Sequence, residues 1–288
     1  MTDVRGHLGA GERAGLRYRL GLPPRAAGGA GATLGRRAGS SLEFRDYREY
    51  QPGDDLRHVD WAAYARSDQL SVKLYREEVT PHADVVVDGS RSMALEGSAK
   101  EAATLALAAC FATAAANAGH THAAWLLGER LEPVANGTRA PALWEGLALA
   151  YRGSPAEALG RGPSAWRPRG VRVLLSDLLW EADPLTAVRQ LAERSALTVV
   201  VQVLAAADVE PADGGNLRLA DSETGQVQEI HVDAAAVRRY RAALARHQEG
   251  WHHACRQAGA VFTTVVAERV LEDWRLDDLV AAGVLRVV

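Results

Sequence analysis

The fold is decided by the stretch Ala83-Asp84-Val85-Val86-Val87-Asp88-Gly89-Ser90-Arg91-Ser92, in which an apolar run ends in a carboxylate and two hydroxyl groups. The apolar part is typical of a buried β-strand, and the polar part is typical of the loop at its carboxyl end. Hard cations such as Mg2+ prefer oxygen ligands in a compact octahedron. Asp88, Ser90 and Ser92 therefore offer three candidate ligands for one divalent cation.

A second apolar run ends in the same way, because residues 171–175 are followed by Ser176 and Asp177. In open parallel sheets, ligands bind outside the carboxyl ends of the strands, where the strand order reverses. We expect Asp88 and Asp177 to meet at such an edge and to form one site. Asp-x-Ser-x-Ser alone is also typical of an ordinary polar turn. We interpret it as a metal site because it follows an all-apolar strand.

Strand-like and helix-like segments alternate along the rest of the chain. Strand patterns cover residues 70–75, 122–127, 130–134, 197–204, 218–232 (as a hairpin) and 261–266, and helix patterns cover residues 98–118, residues 140–151 and the segments after Asp183-Pro184 and after Asp233. This alternation predicts an α/β fold with a doubly wound, mostly parallel sheet and helices on both faces.

Composition limits the classes of function. The 288 residues carry a net charge of −3 and are 48% hydrophobic, which is enough apolar surface for one large domain or two modest ones. The two cysteines, Cys110 and Cys255, are far apart in helix-like segments, which indicates free thiols in a reducing compartment. The sequence shows neither a signal peptide nor a membrane span. We therefore expect a cytoplasmic protein.

The chain divides by composition into three regions. Residues 1–40 are rich in glycine and proline and predict a basic arm or linker, with seven arginines and two acidic residues up to residue 42. Residues 41–80 form a dense polar and aromatic segment, and residues 81–288 hold the alternating strands and helices. The arm contains only Tyr18 for stacking on bases, so we do not expect nucleic acid as a partner.

The two strand ends together resemble the von Willebrand factor A domain and its metal-ion-dependent adhesion site. The resemblance implies that Asp88, Ser90, Ser92 and Asp177 hold one Mg2+ (or Mn2+) ion. In that family a threonine of a second loop is a further ligand, and this sequence has no clear match for it. Ser154 is our candidate for that ligand, and Thr138 is the alternative.

A longer resemblance covers the chain from Gly35 onward. Two strings are similar to the signature of the bacterial "domain of unknown function fifty-eight" family: Glu43-Phe44-Arg45-Asp46-Tyr47-Arg48-Glu49-Tyr50-Gln51-Pro52-Gly53-Asp54-Asp55-Leu56-Arg57-His58-Val59-Asp60-Trp61, and Leu219-Ala220-Asp221-Ser222-Glu223-Thr224-Gly225. That family joins the signature to a von Willebrand A-like domain, and its members tend to be encoded beside MoxR-type AAA+ ATPases. The resemblance implies that the partner is a MoxR-type ATPase or a client of it.

The first signature string, which the resemblance continues through Ala65-Arg66, is rich in charges of both signs, contributed by Arg45, Asp46, Arg48, Glu49, Asp54, Asp55, Arg57, Asp60 and Arg66. We favour a structural ion-pair network over a direct partner contact, since Arg–carboxylate pairs commonly organise polar interfaces. Asp54 is predicted to cap a helix that runs through Arg66, and Trp61 is predicted to lie in the core.

These observations favour a non-enzymatic, metal-dependent protein-binding module that works as an adaptor for the ATPase. The sequence has no Gly-x-Ser-x-Gly elbow, phosphate loop or His-Glu-x-x-His motif. The alternative is a Mg2+-dependent phosphatase with Asp88 as nucleophile, because Asp88 follows a strand. Such an enzyme needs a second carboxylate where Ser90 stands, to protonate the leaving group.

Overall fold

The computed structural model describes residues 3–21, 42–52, 54, 56–77, 81–160, 166–211, 214–221 and 226–288. These residues belong to two compact units, one formed by Met1–Pro23 and Pro81–Val288 and the other by Pro24–Thr80. Strands and helices are numbered here along the chain. No helix of the described residues combines the length and the apolar character needed to cross a membrane.

The larger unit contains a six-stranded sheet of β4 (His82–Asp88), β5 (Thr121–Leu127), β6 (Leu131–Pro133), β7 (Val171–Ser176), β8 (Leu197–Leu204) and β11 (Val261–Val266). The strand order is β11-β8-β7-β4-β5-β6, and every pair is parallel except β5 with β6. Its helices are α3 (Lys100–Asn117), α4 (Ala156–Gly160), α5 (Pro184–Ala192), α6 (Ala206–Val209), α7 (Ala234–Ala258), α8 (Ala267–Asp273) and α9 (Asp277–Ala281). The α/β fold with a mostly parallel sheet is therefore confirmed.

Helices cover both faces of this sheet, because alternate residues of its strands point to opposite sides. Val85 and Val87 pack in a core with the apolar residues of α3, whereas Val86 packs in a second core with Val188 of α5 and Trp251 of α7. The strands β4, β7 and β8 are buried along their whole length, as expected for strands covered on both faces.

The amino-terminal segment corrects the interpretation of residues 1–40 as an arm. Helix α1 (Val4–Gly15) is capped by Asp3 and packs on α3 so closely that a Cβ atom at Gly11 would lie 1.9 Å from the carbonyl oxygen of Ala106. Strand β1 (Tyr18–Leu20) then pairs with β12 (Leu285–Val287). The rest of the predicted arm, residues 22–40, lies outside the described residues.

The helix predicted over residues 140–151 is wrong. This segment has one 3-10 turn, Pro141–Leu143, and then continues as irregular chain with isolated bridges at Glu145 and Tyr151. Gly146 has a φ of 77°, and Tyr151 forms a parallel bridge with Ser90. A composition of alanine and leucine favours a helix, but the irregular conformation lets Tyr151 pair with the loop after β4.

The remaining strands of the larger unit form a hairpin of β9 (Gly215–Ala220) and β10 (Val227–Val232). This pairing confirms the hairpin predicted over residues 218–232, whose predicted turn residues lie outside the described part of the chain. Asp233 caps α7 through a hydrogen bond from the Ala236 amide, and Asp183 caps α5 through a hydrogen bond from the Thr186 amide.

The smaller unit is an antiparallel pair of β2 (Leu42–Glu49) and β3 (Ser71–Glu77), with α2 (Trp61–Ser67) between them in the chain. Asp60, not Asp54, caps its helix, because the Asp60 carboxylate accepts hydrogen bonds from the amides of Ala62 and Ala63. Asp54 instead forms a two-pronged ion pair with Arg48, with distances of 2.5 and 2.7 Å. Trp61 is 56% exposed, so its assignment to the core was also wrong.

Candidate metal centre

The loops that follow β4 and β7 begin side by side. The two strands are parallel neighbours, with Val87 opposite Leu175, and the strand order reverses here because β5 and β7 flank β4 on opposite sides. This is the position at which open α/β sheets bind ligands. Asp88 and Asp177 lie at this edge, as expected, and both are completely buried.

The loop after β4, here called loop 1 (residues 88–92), presents two hydroxyl groups at metal-ligand spacing. The amide of Ser90 donates to Asp88 Oδ1 at 2.8 Å, which folds the loop into a tight turn. Ser90 Oγ then lies 3.1 Å from Ser92 Oγ. Two ligands at adjacent corners of an octahedron around Mg2+ are about 3.0 Å apart, since each lies about 2.1 Å from the ion. The two hydroxyl groups therefore fit one small divalent cation.

The carboxylate of Asp88 is enclosed by donors from the loop after β7. Its Oδ2 accepts hydrogen bonds from Ser176 Oγ at 2.5 Å and from Trp180 Nε1 at 3.1 Å. Burial, and next the negative charge of Asp177, raise the pKa of Asp88 to about 6, although hydrogen bonds from Ser176 and Ser90 oppose the rise. Asp88 is therefore buried beside another negative charge, and a cation at this edge would stabilise its ionised form.

The loop after β7, here called loop 3 (residues 177–181), is fixed along its main chain. The Asp177 amide donates to Met93 Sδ at 3.2 Å, and Gln202 Nε2 donates to the Asp177 carbonyl at 3.0 Å. The carboxylate of Asp177 accepts a hydrogen bond from the Leu179 amide at 3.1 Å. Loop 3 is thus held in place from loop 1 and from the neighbouring strand β8.

Leu178 shows that the backbone of loop 3 is strained. Its φ is 59°, in the left-handed region that a branched side chain rarely adopts. The conformation is stabilised by a hydrogen bond from the Leu178 amide to Ser176 Oγ at 2.9 Å and by one from His247 Nε2 to the Leu178 carbonyl at 2.8 Å. Such strain persists where the surroundings hold it, and it is common at functional sites.

The segment from Tyr151 to Ser154, here called loop 2, contacts both other loops. The Tyr151 amide donates to the Gly89 carbonyl at 2.9 Å, and the Arg91 amide donates to the Tyr151 carbonyl at 2.8 Å. Ser154 Oγ donates to the carbonyl of Glu181, in loop 3, at 3.2 Å. Ser154 therefore lies beside loop 3, with its hydroxyl group engaged with the main chain, and its role as a metal ligand stays a prediction.

Thr138 lies toward the other end of the sheet. It belongs to the turn after β6, where the Ala124 amide donates to the Gly137 carbonyl at 3.0 Å. Ala124 is in the middle of β5, whereas loop 1 contacts the carboxyl end of β5 through a hydrogen bond from the Gly89 amide to the Leu127 carbonyl at 2.8 Å. The position of Thr138 therefore favours Ser154 as the candidate of the two.

Lys100 is a residue of the site that the sequence analysis missed. Its side chain is 2% exposed, and its Nζ lies 2.9 Å from Asp177 Oδ2 and 3.3 Å from Asp208 Oδ2. Burial opposes the charged form, but the charges of Asp177 and Asp208 outweigh it and raise the pKa of Lys100. A signal was present, since a lysine opens a helix that is apolar nearly all round.

The ligand set is made of oxygen atoms. The described residues hold no cluster of three or more His, Cys, Asp or Glu side chains suited to a metal ion. The candidate centre instead combines two carboxylates, Asp88 and Asp177, with the hydroxyl groups of Ser90 and Ser92, and hard cations such as Mg2+ prefer such ligands. Fold and site together define an α/β protein with an oxygen-rich site at the carboxyl edge of a mostly parallel sheet.

Comparison with known families agrees with the signature strings. Residues 46–250 match the family described as "Protein of unknown function DUF58". The chain belongs to this family. Its uncharacterized relative Rv1480 of Mycobacterium tuberculosis is 31% identical over 266 residues, which are 86% of this chain and 80% of that protein. The uncharacterized protein Mb1516 of Mycobacterium bovis matches with the same identity and coverage.

Two solved structures are similar at low identity. The conserved hypothetical protein BatB from Bacteroides thetaiotaomicron has a TM-score of 0.36 and 12% identity, over 70% of this chain and 99% of that one. An aerotolerance-related membrane protein from Bacteroides fragilis has a TM-score of 0.37 and 13% identity, over 71% of this chain and 98% of that one.

Proposed function

We propose that the chain is a non-enzymatic protein-binding module of the von Willebrand A type, whose binding depends on a divalent cation. The observation that carries the proposal is the spacing of 3.1 Å between the hydroxyl oxygens of Ser90 and Ser92, beside two buried carboxylates. Ser90 and Ser92 would hold Mg2+ (or Mn2+), and Asp88 and Asp177 would supply the negative charge around it.

The ligand chemistry explains why such a centre would bind a protein. Hydroxyl ligands are neutral, so a cation held by few carboxylates keeps part of its positive charge. It can then accept the carboxylate of an Asp or Glu side chain from a partner as its last ligand. In this mechanism the chain positions the ion and the partner supplies the acidic group.

Two exposed leucines beside the centre support a macromolecular partner over a small substrate. Leu95, three residues after Ser92, is 40% exposed, and Leu179, in loop 3, is 45% exposed. Exposed apolar side chains around a polar centre are typical of protein interfaces, where apolar anchors provide much of the affinity. The resemblance to the family implies that the partner is a MoxR-type AAA+ ATPase or its client, for which the chain would be an adaptor.

Ion binding itself is the first test of this proposal. Calorimetric titration with Mg2+ in acetate buffer, where acetate represents the partner's carboxylate, should give binding by the wild type and none by Asp88→Ala. Ser90→Ala and Ser92→Ala should each weaken it. Ser154→Ala decides whether Ser154 is a further ligand. Equal heats from the wild type and Asp88→Ala would contradict the proposed centre.

A Mg2+-dependent phosphatase is the alternative, because Asp88 ends a strand at the ligand-binding edge of the sheet. The surroundings of Asp88 disfavour it as a nucleophile, since the carboxylate is completely buried and accepts hydrogen bonds at both oxygens. Ser90 also occupies the position at which such an enzyme needs a general acid. A phosphatase and esterase screen in Mg2+ separates the two functions: turnover that is abolished by Asp88→Asn would favour the enzyme.

A further inference from the structure

Lys100 is a buried cation whose presence the proposed binding mechanism does not require. Its Nζ lies 2.9 Å from Asp177 Oδ2 and 3.3 Å from Asp208 Oδ2. It is the first residue of the 18-residue helix α3, and the macrodipole disfavours a positive charge at that end of a helix. The two carboxylates, and not the helix, therefore stabilise the ammonium group at this place.

We propose that Lys100 makes ion binding depend on a partner's carboxylate, because it offsets part of the charge of Asp177, which would otherwise help to balance the ion. The inference rests on the proposed function and deepens it. Without Lys100, Asp88 and Asp177 would match the two charges of a divalent cation. Lys100 lies nearer to Asp177 (2.9 Å) than to Asp208 (3.3 Å), so it offsets part of the Asp177 charge although Asp208 shares it. The bound ion then keeps part of its positive charge, which an Asp or Glu of the partner neutralises. Ion and partner then bind cooperatively, each strengthening the other.

Asp208 tunes this effect because it shares the ammonium group with Asp177. Its Oδ2 also accepts a hydrogen bond from the Ala205 amide at 2.9 Å, and Tyr240 OH donates to the Asp208 carbonyl at 2.6 Å. These bonds fix the second carboxylate within reach of Lys100. Removing the charge of Asp208 leaves Asp177 as the remaining acidic partner of Lys100, which strengthens the ion pair that competes with the cation.

A structural clamp is the alternative role for Lys100, because its contacts join α3, loop 3 and α6. The two roles differ in the sign of the effect that Lys100→Met has on ion binding. If Lys100 is only a clamp, Lys100→Met and Asp208→Asn both loosen the site and both weaken ion binding. If Lys100 sets the charge of the site, Lys100→Met strengthens ion binding and Asp208→Asn weakens it.

Calorimetric titration of the full chain with Mg2+, in sodium acetate and in sodium chloride of equal ionic strength, distinguishes these roles. In chloride, Lys100→Met should bind Mg2+ about tenfold more tightly than the wild type, and Asp208→Asn about tenfold more weakly. Acetate should strengthen Mg2+ binding by the wild type and leave Lys100→Met unchanged. Lys73→Met removes a lysine of the other unit and should bind Mg2+ as the wild type does.

Each outcome decides between these roles. Mg2+ binding by Lys100→Met that is equal to or weaker than the wild type overturns the charge-setting role and leaves the metal centre in place. If Lys100→Met does not fold, Lys100→Gln, which removes the charge and keeps a polar group beside Asp177, takes its place, and binding equal to or weaker than the wild type overturns the role. Absence of Mg2+ binding from the wild type and all variants, in both salts, overturns the metal centre itself. Binding in chloride by Lys100→Met but not by the wild type supports the inference, since Lys100 then excludes the ion until a carboxylate is present.

Discussion

Trp180 Nε1 donates a hydrogen bond to Asp88 Oδ2 over 3.1 Å, so a residue of loop 3 holds the carboxylate of loop 1. Ser176, which ends β7, donates to the same oxygen. Loops 1 and 3 are therefore joined through the carboxylate of Asp88 even without a cation. The charge state of Asp88 should accordingly affect the stability of the whole edge.

The first prediction concerns the pH dependence of stability in chelator. The pKa of Asp88 is raised from 3.8 to about 6, so the folded protein binds this proton more tightly than the unfolded chain does. The contribution of Asp88 to the free energy of unfolding is therefore largest below about pH 4 and falls by on the order of 1–3 kcal/mol as the pH rises to about 6. Comparing the urea unfolding of the wild type and of Asp88→Asn between about pH 4 and about pH 6 measures this contribution. Equal pH slopes for the two proteins would contradict the prediction.

The second prediction is that Leu179 contributes to partner binding and not to ion binding. Its side chain is 45% exposed, although its amide donates to Asp177 Oδ1. Leu179→Ser keeps that amide but removes an apolar anchor, and it should weaken partner capture by about tenfold or more. Leu16→Ser, at a leucine that is 60% exposed at the end of α1, is the matched control. A loss of Mg2+ binding by Leu179→Ser would show instead that the side chain supports loop 3.

The third prediction assigns Asp60 a structural role in the smaller unit. Its carboxylate caps α2 through the amides of Ala62 and Ala63 and accepts a hydrogen bond from Tyr47 OH. Asp60→Ala should lower the stability of the helix by about 1–2 kcal/mol, as removal of a cap typically does. Hydrogen exchange at the Ala62 and Ala63 amides measures this. Asp54→Ala, which breaks a partly exposed ion pair, should change exchange there much less.

Much of the fold could be predicted from the sequence because the central strands are continuous apolar runs. The predicted bounds of β8 and β11 agree with the structure, since both strands are rich in valine, although β8 contains Thr198 and Gln202 and β11 contains Thr263 and Thr264. Residues 140–151 could not be predicted in this way. Their pairing with Ser90 depends on residues that are distant in the chain, which a local pattern does not contain.

In the candidate centre, too, the residues that a local pattern marks could be predicted, and contacts between distant residues could not. Asp88, Ser90, Ser92 and Asp177 could be found because each follows a strand whose direction and burial the sequence shows. The lysine at the start of an apolar helix marks Lys100 as unusual, but its partner could not be predicted, because Asp177 lies 77 positions away and the two meet only when α3 packs on the sheet. The helix of residues 4–15 was missed because its glycines, which permit close packing on α3, are also typical of a flexible arm.

The most direct test of the metal-dependent binding mechanism is capture of the ATPase from host lysate on immobilised protein, with bound proteins identified by mass spectrometry. Capture should occur in Mg2+ and should be lost in chelator and with Ser90→Ala. Loss of a metal–carboxylate contact should lower the affinity by more than tenfold, and each factor of ten is about 1.4 kcal/mol. Undiminished capture of the same ATPase in chelator and by Ser90→Ala would contradict binding through the metal, even with the fold as described.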